Sequence, residues 1–155
     1  RAYYAKEELS KNNHINLSQD LDWYDYKKIL NCVPEGESEI PSNKLFPFEI
    51  SMLLEKGTSF DKGCFIGQEV IARVKYKGNV KKQYFTFKIS KCNPIDLKQN
   101  DKIKNENNVE IGEIISLKKI NKETYGFALI KTKFINSKIR LTKIFVNELS
   151  LNLIF

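Results

Sequence analysis

The sequence is short of the residues that build a self-contained metal site or a disulfide scaffold. It has one histidine, His14, and three cysteines, Cys32, Cys64 and Cys92, which form no CxxC pair. A complete zinc site normally takes four such ligands at close spacing, so a zinc site within this one chain is excluded. A chain of 155 residues also needs no disulfide staple, and the pattern indicates reduced thiols in a cytosol-like compartment.

Long apolar runs and a secretory opening are also missing. No stretch approaches the roughly 20 apolar residues that span a bilayer, so we expect no membrane partner. The chain opens at Arg1 with an aromatic pair and charges, which is not a signal-peptide pattern. Because it lacks an initiating Met, we expect a fragment or a processed product.

What the sequence does contain is typical of a folded protein with a basic surface. Hydrophobic residues make up 41%, charged residues 29% and aromatic residues 12%, which is enough for a packed core. The net charge of +7 permits binding to nucleic acid, anionic cofactors or acidic proteins without choosing among them. Much of the excess is lysine mixed with asparagine, which is equally typical of a solvated surface.

The first part of the chain reads mainly as helix. We expect helix up to about Asn31, with Ser18 as a cap and an end at Pro34 and Gly36. A second, short helix is predicted over Phe46–Leu54, with Pro47 in its first turn.

The second part reads as short strands. Alternation over Val70–Lys77 predicts a first strand, the Gly78–Asn79 pair a turn, and Tyr84–Ile89 the return strand. Gly112 is expected to mark a bulge in one of the later strands. These later strands are predicted at Asp101–Lys104, Val109–Leu117, Thr124–Thr132, Lys138–Leu141 and within Ile144–Phe155. The predicted fold class is therefore α+β, with a small antiparallel β-barrel over residues 70–155.

One segment, Asp61–Arg73, carries the pattern expected of a reactive thiol. Gly63 and Gly67 flank Cys64 and predict a shaped loop, and Lys62 stands two positions away, where its charge would favour the thiolate. A thiolate binds soft metals or attacks electrophiles. The residues alone leave a second interpretation open, in which Cys64 is a small side chain packed beside Phe65.

The run Lys62–Glu69, K-G-C-F-I-G-Q-E, resembles the K-G-C-[FY]-x-G-Q-E signature of the YgfZ-type folate-binding proteins. These belong to the superfamily of the glycine cleavage T-protein and have mitochondrial relatives in iron–sulfur assembly. The resemblance extends over about residues 23–133. Its further matches are Val33–Gly36, Phe46–Glu49, Arg73 with Lys77–Val80, Ile111–Ser116 and Tyr125–Ile130.

The resemblance implies an architecture and a set of functional residues. Residues 1–69 would be the end of a T-protein-like folate-binding domain, followed by the C-terminal β-barrel over 70–155. Cys64 would be the functional thiol, assisted by Lys62, and a transient ligand of an iron–sulfur cluster shared with a partner. Glu49 would lie near the pterin of tetrahydrofolate, although a first-turn glutamate that complements a helix dipole is the competing interpretation. Residues that would shape or charge the loop are Gly63, Gly67, Gln68, Glu69 and Arg73; for Gln68 and Glu69, bonding to the loop backbone is the simpler alternative.

The resemblance also implies a function and a place in the cell. The expected function is folate-dependent support of iron–sulfur assembly or repair, including clusters of tRNA-modifying enzymes, with assembly and client proteins as partners. A tetrahydrofolate-dependent aminomethyltransferase is the alternative. The compartment would be the cytoplasm, or the mitochondrial matrix in a eukaryote. A third interpretation, weak tRNA contact, follows from the alternating Arg73, Lys75 and Lys77.

Overall fold

The computed structural model describes residues 21–50, 57, 59, 61–78, 80–90, 97–135, 144–147 and 149–154. Over these residues the fold is α+β, with a closed antiparallel barrel after two α-helices. The helices are α1 (Leu21–Leu30) and α2 (Gln68–Lys77), with 3₁₀ turns at Pro47–Glu49 and Thr132–Phe134. The strands are β1 (Lys82–Ser90), β2 (Lys102–Asn105), β3 (Glu110–Ile120), β4 (Glu123–Lys131), β5 (Ile144–Val146) and β6 (Leu149–Ile154).

The barrel strands follow the order β1-β4-β3-β2-β5-β6. The predicted alternation in β1 is confirmed, because Phe85, Phe87 and Ile89 point into the barrel core. The other buried members of that core come from every remaining strand and one loop. They are Leu97, Ile103, Ile111, Ile114, Ala128, Ile130, Ile144, Val146 and Leu151.

Two glycines let the barrel close tightly. A side chain on Gly126 would strike the Ser116 carbonyl oxygen and come within 2.9 Å of the Phe87 ring. Beside Gly112 the pairing of β2 with β3 slips, since Ile103 pairs with Gly112 but Lys104 pairs with Glu110. The irregularity predicted at Gly112 is therefore confirmed.

Asparagine forms the turns between strands. Asn100, Asn108, Asn121 and Asn147 all have positive φ, between 46° and 71°. Asparagine tolerates this left-handed region better than other residues with a side chain. The asparagine bias of the sequence therefore has a structural use at the strand ends.

The outer face of the barrel carries a second core beneath α1 and the loop that follows it. Ile29 of α1 and Ile50 pack against Tyr84, Phe127 and other side chains of β1, β3 and β4. Those other side chains are Ile115, Ile120, Tyr125 and Leu129. The sequence predicted the helix but not that it covers this face.

Buried polar contacts fix this cover to the barrel. The Thr86 hydroxyl donates to the Ile29 carbonyl at 2.7 Å, and the Tyr84 hydroxyl donates to the Glu39 carbonyl. The Lys28 ammonium lies 2.9 Å from the Glu39 carboxylate, with both side chains about nine-tenths buried. Each of these polar groups loses its hydrogen bonds to water on burial and therefore needs a partner in the protein. Because the partners lie in one place, the contacts fix one position of the loop.

The strand predicted over Val70–Lys77 is wrong, because α2 occupies it. Glycines with left-handed backbones bracket this helix, Gly67 at its start and Gly78 at its end, where the Gly78 N–H bonds the Val74 carbonyl. Apolar side chains at 70, 71 and 74 also fit a helical spacing, so the alternation was an ambiguous signal. The first barrel strand begins at Lys82, and the basic residues 73, 75 and 77 do not share one strand face.

Several predictions lie outside the described residues. These concern the helix predicted at the start of the chain, the Ser18 cap of the helix after it, His14, Cys92, the segment 51–56 and the strand Lys138–Leu141. Among the described helices, none has the length and apolarity to cross a bilayer.

We expect Gly126→Ala to lower the free energy of unfolding by about 3 kcal/mol, because the new methyl group would displace backbone or the Phe87 ring. Gly63→Ala is the matched control: its added methyl meets nothing within 4 Å, and we expect a change within about 0.5 kcal/mol. Urea unfolding monitored by circular dichroism measures both. Equal stability of the two variants would contradict the packing assigned to Gly126.

We expect the stability of the protein to fall at alkaline pH, partly through Tyr84. Burial, and then the negative charge of Glu39, raise the pKa of Tyr84 above its ordinary value. The unfolded chain therefore ionises first, and the free energy of unfolding declines as the pH rises above about 10, by at most about 1.4 kcal/mol per pH unit for this group.

Tyr84→Phe should be less stable by about 1 kcal/mol at neutral pH, since the Glu39 carbonyl loses its donor. Its alkaline decline should be shallower. Tyr125→Phe should also make the decline shallower, because burial raises the pKa of Tyr125 in the same core. A decline unchanged by Tyr84→Phe would refute the burial of this phenol.

Candidate functional site

The candidate site is the loop Asp61–Gly67 with the first turns of α2. Gly67, at φ 87°, turns the chain into the helix in a conformation that side chains rarely adopt. Gly63 has an ordinary backbone and open space around it, so the turn does not depend on it. The loop shape therefore depends on the second of the two predicted glycines.

Cys64 presents an exposed thiol from this loop. The next residue, Phe65, is half-buried, whereas Ile66 is fully exposed. The Lys62 ammonium lies 4.8 Å from the centre of the Phe65 ring, a cation–π contact. The interpretation of Cys64 as a packed core side chain does not hold, and the action of Lys62 on the thiol stays a prediction.

Gln68 holds the loop closed. The side-chain oxygen of Gln68 accepts the Phe65 N–H at 3.4 Å. The backbone N–H of Gln68 donates to the Phe65 carbonyl at 3.1 Å. This is the backbone-bonding role weighed for Gln68 from the sequence. Glu69 is exposed in the first turn of α2, where a carboxylate complements the helix dipole.

Helix α2 is attached lightly to the rest of the protein. None of its residues is buried, and its inner side consists of half-buried Ile71, Ala72 and Val74. Its outer side exposes Val70 (55%) and Tyr76 (75%). Three cations accompany them there: Arg73, Lys75 and Lys77.

Exposed apolar side chains therefore surround the thiol segment in a way that the sequence prediction missed. Val70 was predicted on a strand face but is exposed on α2, and Ile66, for which no burial was predicted, is exposed in the loop. Helical spacing of the apolar residues after Gly67 is the signal that would have placed Val70 on a helix.

Glu49 is buried and caps its own 3₁₀ turn, with its carboxylate accepting the Phe46 N–H at 3.0 Å. A cavity of about 220 Å³ lies beside it, between this turn, α2 and the start of β1. Its lining residues are Phe46, Phe48, Glu49, Val74, Val80 and Lys81. Glu49 lies in the first turn of this 3₁₀ helix, as its competing interpretation required, but its bond to the Phe46 N–H was not predicted. Its role towards a cofactor stays a prediction.

Metal-binding groups are sparse over the described part of the chain. It contains no cluster of three or more histidine, cysteine or acidic side chains able to hold a metal ion. Cys32 is half-buried under the outer core, and burial raises its pKa, partly offset by a hydrogen bond with Thr86. Of the two cysteines in the described part of the chain, Cys64 is the one whose thiol is exposed and can be reached by a metal centre on another molecule.

The chain is similar to curated iron–sulfur cluster assembly factors. It is 41% identical over 64 residues to the mitochondrial IBA57 homolog of Phaeosphaeria nodorum, which is 41% of this chain and 16% of that protein. It is 36% identical over 70 residues to mitochondrial IBA57 of Mus musculus (45% and 20%) and 39% over 66 residues to that of Homo sapiens (43% and 18%). The aligned part thus spans a fifth or less of these relatives. No family model matches the chain.

We expect Cys64 to react with a maleimide about tenfold or more faster than Cys32 near neutral pH. Cys32 must first be uncovered, and burial raises its pKa, which lowers its thiolate fraction. Mass spectrometry of digested samples assigns a rate to each cysteine. In 6 M urea, where both thiols are free, the rates should converge; a folded-state Cys32 as fast as Cys64 would contradict the burial described here.

Proposed function

We propose that this chain belongs to an iron–sulfur cluster assembly or repair factor in which Cys64 is the functional thiol. The observation that carries the proposal is the exposure of Cys64 on the K-G-C-F-I-G-Q-E loop, held by Gly67 and Gln68. The names of the similar proteins, which are iron–sulfur cluster assembly factors, support the same function.

The chemistry required of Cys64 is that of one ligand among several. Iron–sulfur clusters generally take four thiolate-type ligands, and a single thiol completes a shell only together with ligands from another molecule. An exposed sulfur on a narrow loop can approach a cluster held by a second protein. Cys64 would therefore act at the contact between two proteins.

The surroundings of Cys64 favour a protein partner with acidic side chains. Ile66, Val70 and Tyr76 offer apolar area that is costly to leave in water. Arg73 and Lys77, one helical turn apart on α2, add positive charge next to it. At protein–protein interfaces, apolar contact generally supplies the affinity, and complementary charge orients the two partners. We propose assembly and client proteins as these partners, and tRNA-modifying enzymes among the clients.

The described residues do not make a complete folate site. The cavity beside Glu49 is smaller than the roughly 300–1,000 Å³ of ordinary ligand pockets, and Glu49 already accepts a backbone N–H. Its aromatic walls and carboxylate suit one end of a pterin only. We therefore propose folate binding only together with residues outside the described ones, with Glu49 as one wall.

The names of the relatives support a proposal for the compartment. Each of the three is named as mitochondrial, and we propose the mitochondrial matrix if the source is a eukaryote and the cytoplasm if it is not. Reduced thiols at Cys32 and Cys64 agree with either compartment.

We expect Cys64→Ser to abolish support of iron–sulfur enzymes, lowering client activity about tenfold or more in cells that lack their own factor, because serine oxygen is a poor ligand for iron in these clusters. The full-length protein is supplied, and client activity and tRNA methylthiolation are measured at matched protein levels. Cys32→Ser is the matched control and should rescue. Full rescue by Cys64→Ser would refute the function proposed for this thiol.

A further inference from the structure

Phe65 is the one residue of the Cys64 loop, Asp61–Gly67, that is not fully exposed to solvent. It is half-buried, whereas every other residue of the loop is exposed. Cys64 directly precedes Phe65 and Ile66 directly follows it, and both of these neighbours face the solvent. Whatever holds Phe65 in place therefore also decides where the thiol is presented.

Both backbone groups of Phe65 are bonded to Gln68. The Phe65 N–H donates to the Gln68 side-chain oxygen at 3.4 Å, and the Phe65 carbonyl accepts the Gln68 backbone N–H at 3.1 Å. The Phe65 N–H belongs to the planar peptide unit that also contains the Cys64 carbonyl. A hydrogen bond to this N–H therefore restrains the peptide next to the Cα atom that carries the thiol.

The ring of Phe65 is held by Lys62. The Lys62 ammonium lies 4.8 Å from the ring centre, well inside the limit of about 6 Å for a cation–π contact. Among the described residues Lys62 forms no ion pair, so the ring is the partner that its charge has there. Because residues 62 and 65 stand on either side of Cys64, their contact closes a short loop that contains the thiol.

The elements next to this loop contribute little to its position. Helix α2, which follows it, buries none of its residues, and the residues before Cys64 from Asp61 onward are exposed. A segment with so few buried contacts opens at a low free energy, so each contact that it does have changes its order measurably. The contacts of Phe65 are therefore the ones that restrict the direction of the thiol.

We propose that Phe65 positions the thiol of Cys64, and that Lys62 acts through the Phe65 ring rather than on the sulfur. The proposal rests on the function proposed for Cys64. A thiol that completes the ligand shell of a cluster held by a second molecule must be presented in a narrow range of directions. Phe65 restricts the loop to such a range without itself touching the metal, and it is in this sense a positioning residue.

The contact of Lys62 with Phe65 can be read by NMR without an assay of function. The lysine amines of the full-length protein are dimethylated with isotope-labelled formaldehyde, which keeps their charge, and the Lys62 signal is assigned by its loss in Lys62→Arg. We expect the ring current of Phe65 to shift this signal, and Phe65→Leu to abolish the shift. Lys133 is the matched control, since its ammonium lies 4.9 Å from the Phe134 ring centre and its signal should not respond to Phe65→Leu.

A double-mutant cycle tests the action of Lys62 through Phe65, with the full-length protein supplied at matched levels to cells that lack their own factor. We expect Lys62→Met to lower client activity about threefold, the factor that one exposed cation–π contact gives. Phe65→Leu should lower it at least as much, and Lys62→Met should then have no further effect. Lys62→Arg and Phe65→Tyr should retain activity, because both keep a cation on a ring. Lys133→Met removes the same kind of contact outside the Cys64 loop and should leave activity unchanged.

Two outcomes would overturn the proposal. One is a loss from Lys62→Met that is equally large with and without the Phe65 ring, which is the result expected if the ammonium acts directly on the sulfur. The other is a Lys62 signal that Phe65→Leu leaves in place. If Cys64→Ser is inactive, either outcome refutes the role of Phe65 alone, whereas rescue by Cys64→Ser refutes the function of the thiol itself.

Discussion

Strand β1 is buried on both of its faces, and the rest of the structure depends on this. Phe85 and Phe87 fill the barrel, while Tyr84 and Thr86 lie under the segment that begins with α1. A polar side chain in the outer layer must find a partner when it is buried, and the Ile29 and Glu39 carbonyls are those partners. One strand thus joins two cores, and the loop after α1 becomes part of the barrel's packing.

The same arrangement holds the outer core more firmly than the Cys64 loop. In the outer core, Tyr125 and Tyr26 are fixed by packing. The Cys64 loop instead precedes a helix with no buried residue, held by Gly67 and the bonds of Gln68. A light attachment suits a thiol that is proposed to meet a second protein.

The sequence predicted the barrel well because alternation in a strand such as β1 leaves few other interpretations, and Gly112 marked its irregularity. It failed at α2, where apolar residues fit both periods and only the flanking left-handed glycines distinguish a helix. Gln68 and Cys64 were identified from a motif, but the exposure of Ile66 was not. The exposure of a side chain depends on which surfaces the fold covers. The contact of α1 with β1 joins residues far apart in the sequence, and a local sequence pattern does not predict it.

Glycine at both ends of α2 has a consequence for how this protein can evolve. The backbone can change direction at Gly67 and Gly78, and between them no side chain is shared with either core. The free energy of opening this helix is therefore set by its own turns and its half-buried inner side, separately from global unfolding. Substitutions that tune the mobility of the thiol segment are uncoupled from those that tune barrel stability, so selection can adjust one property while the other is conserved.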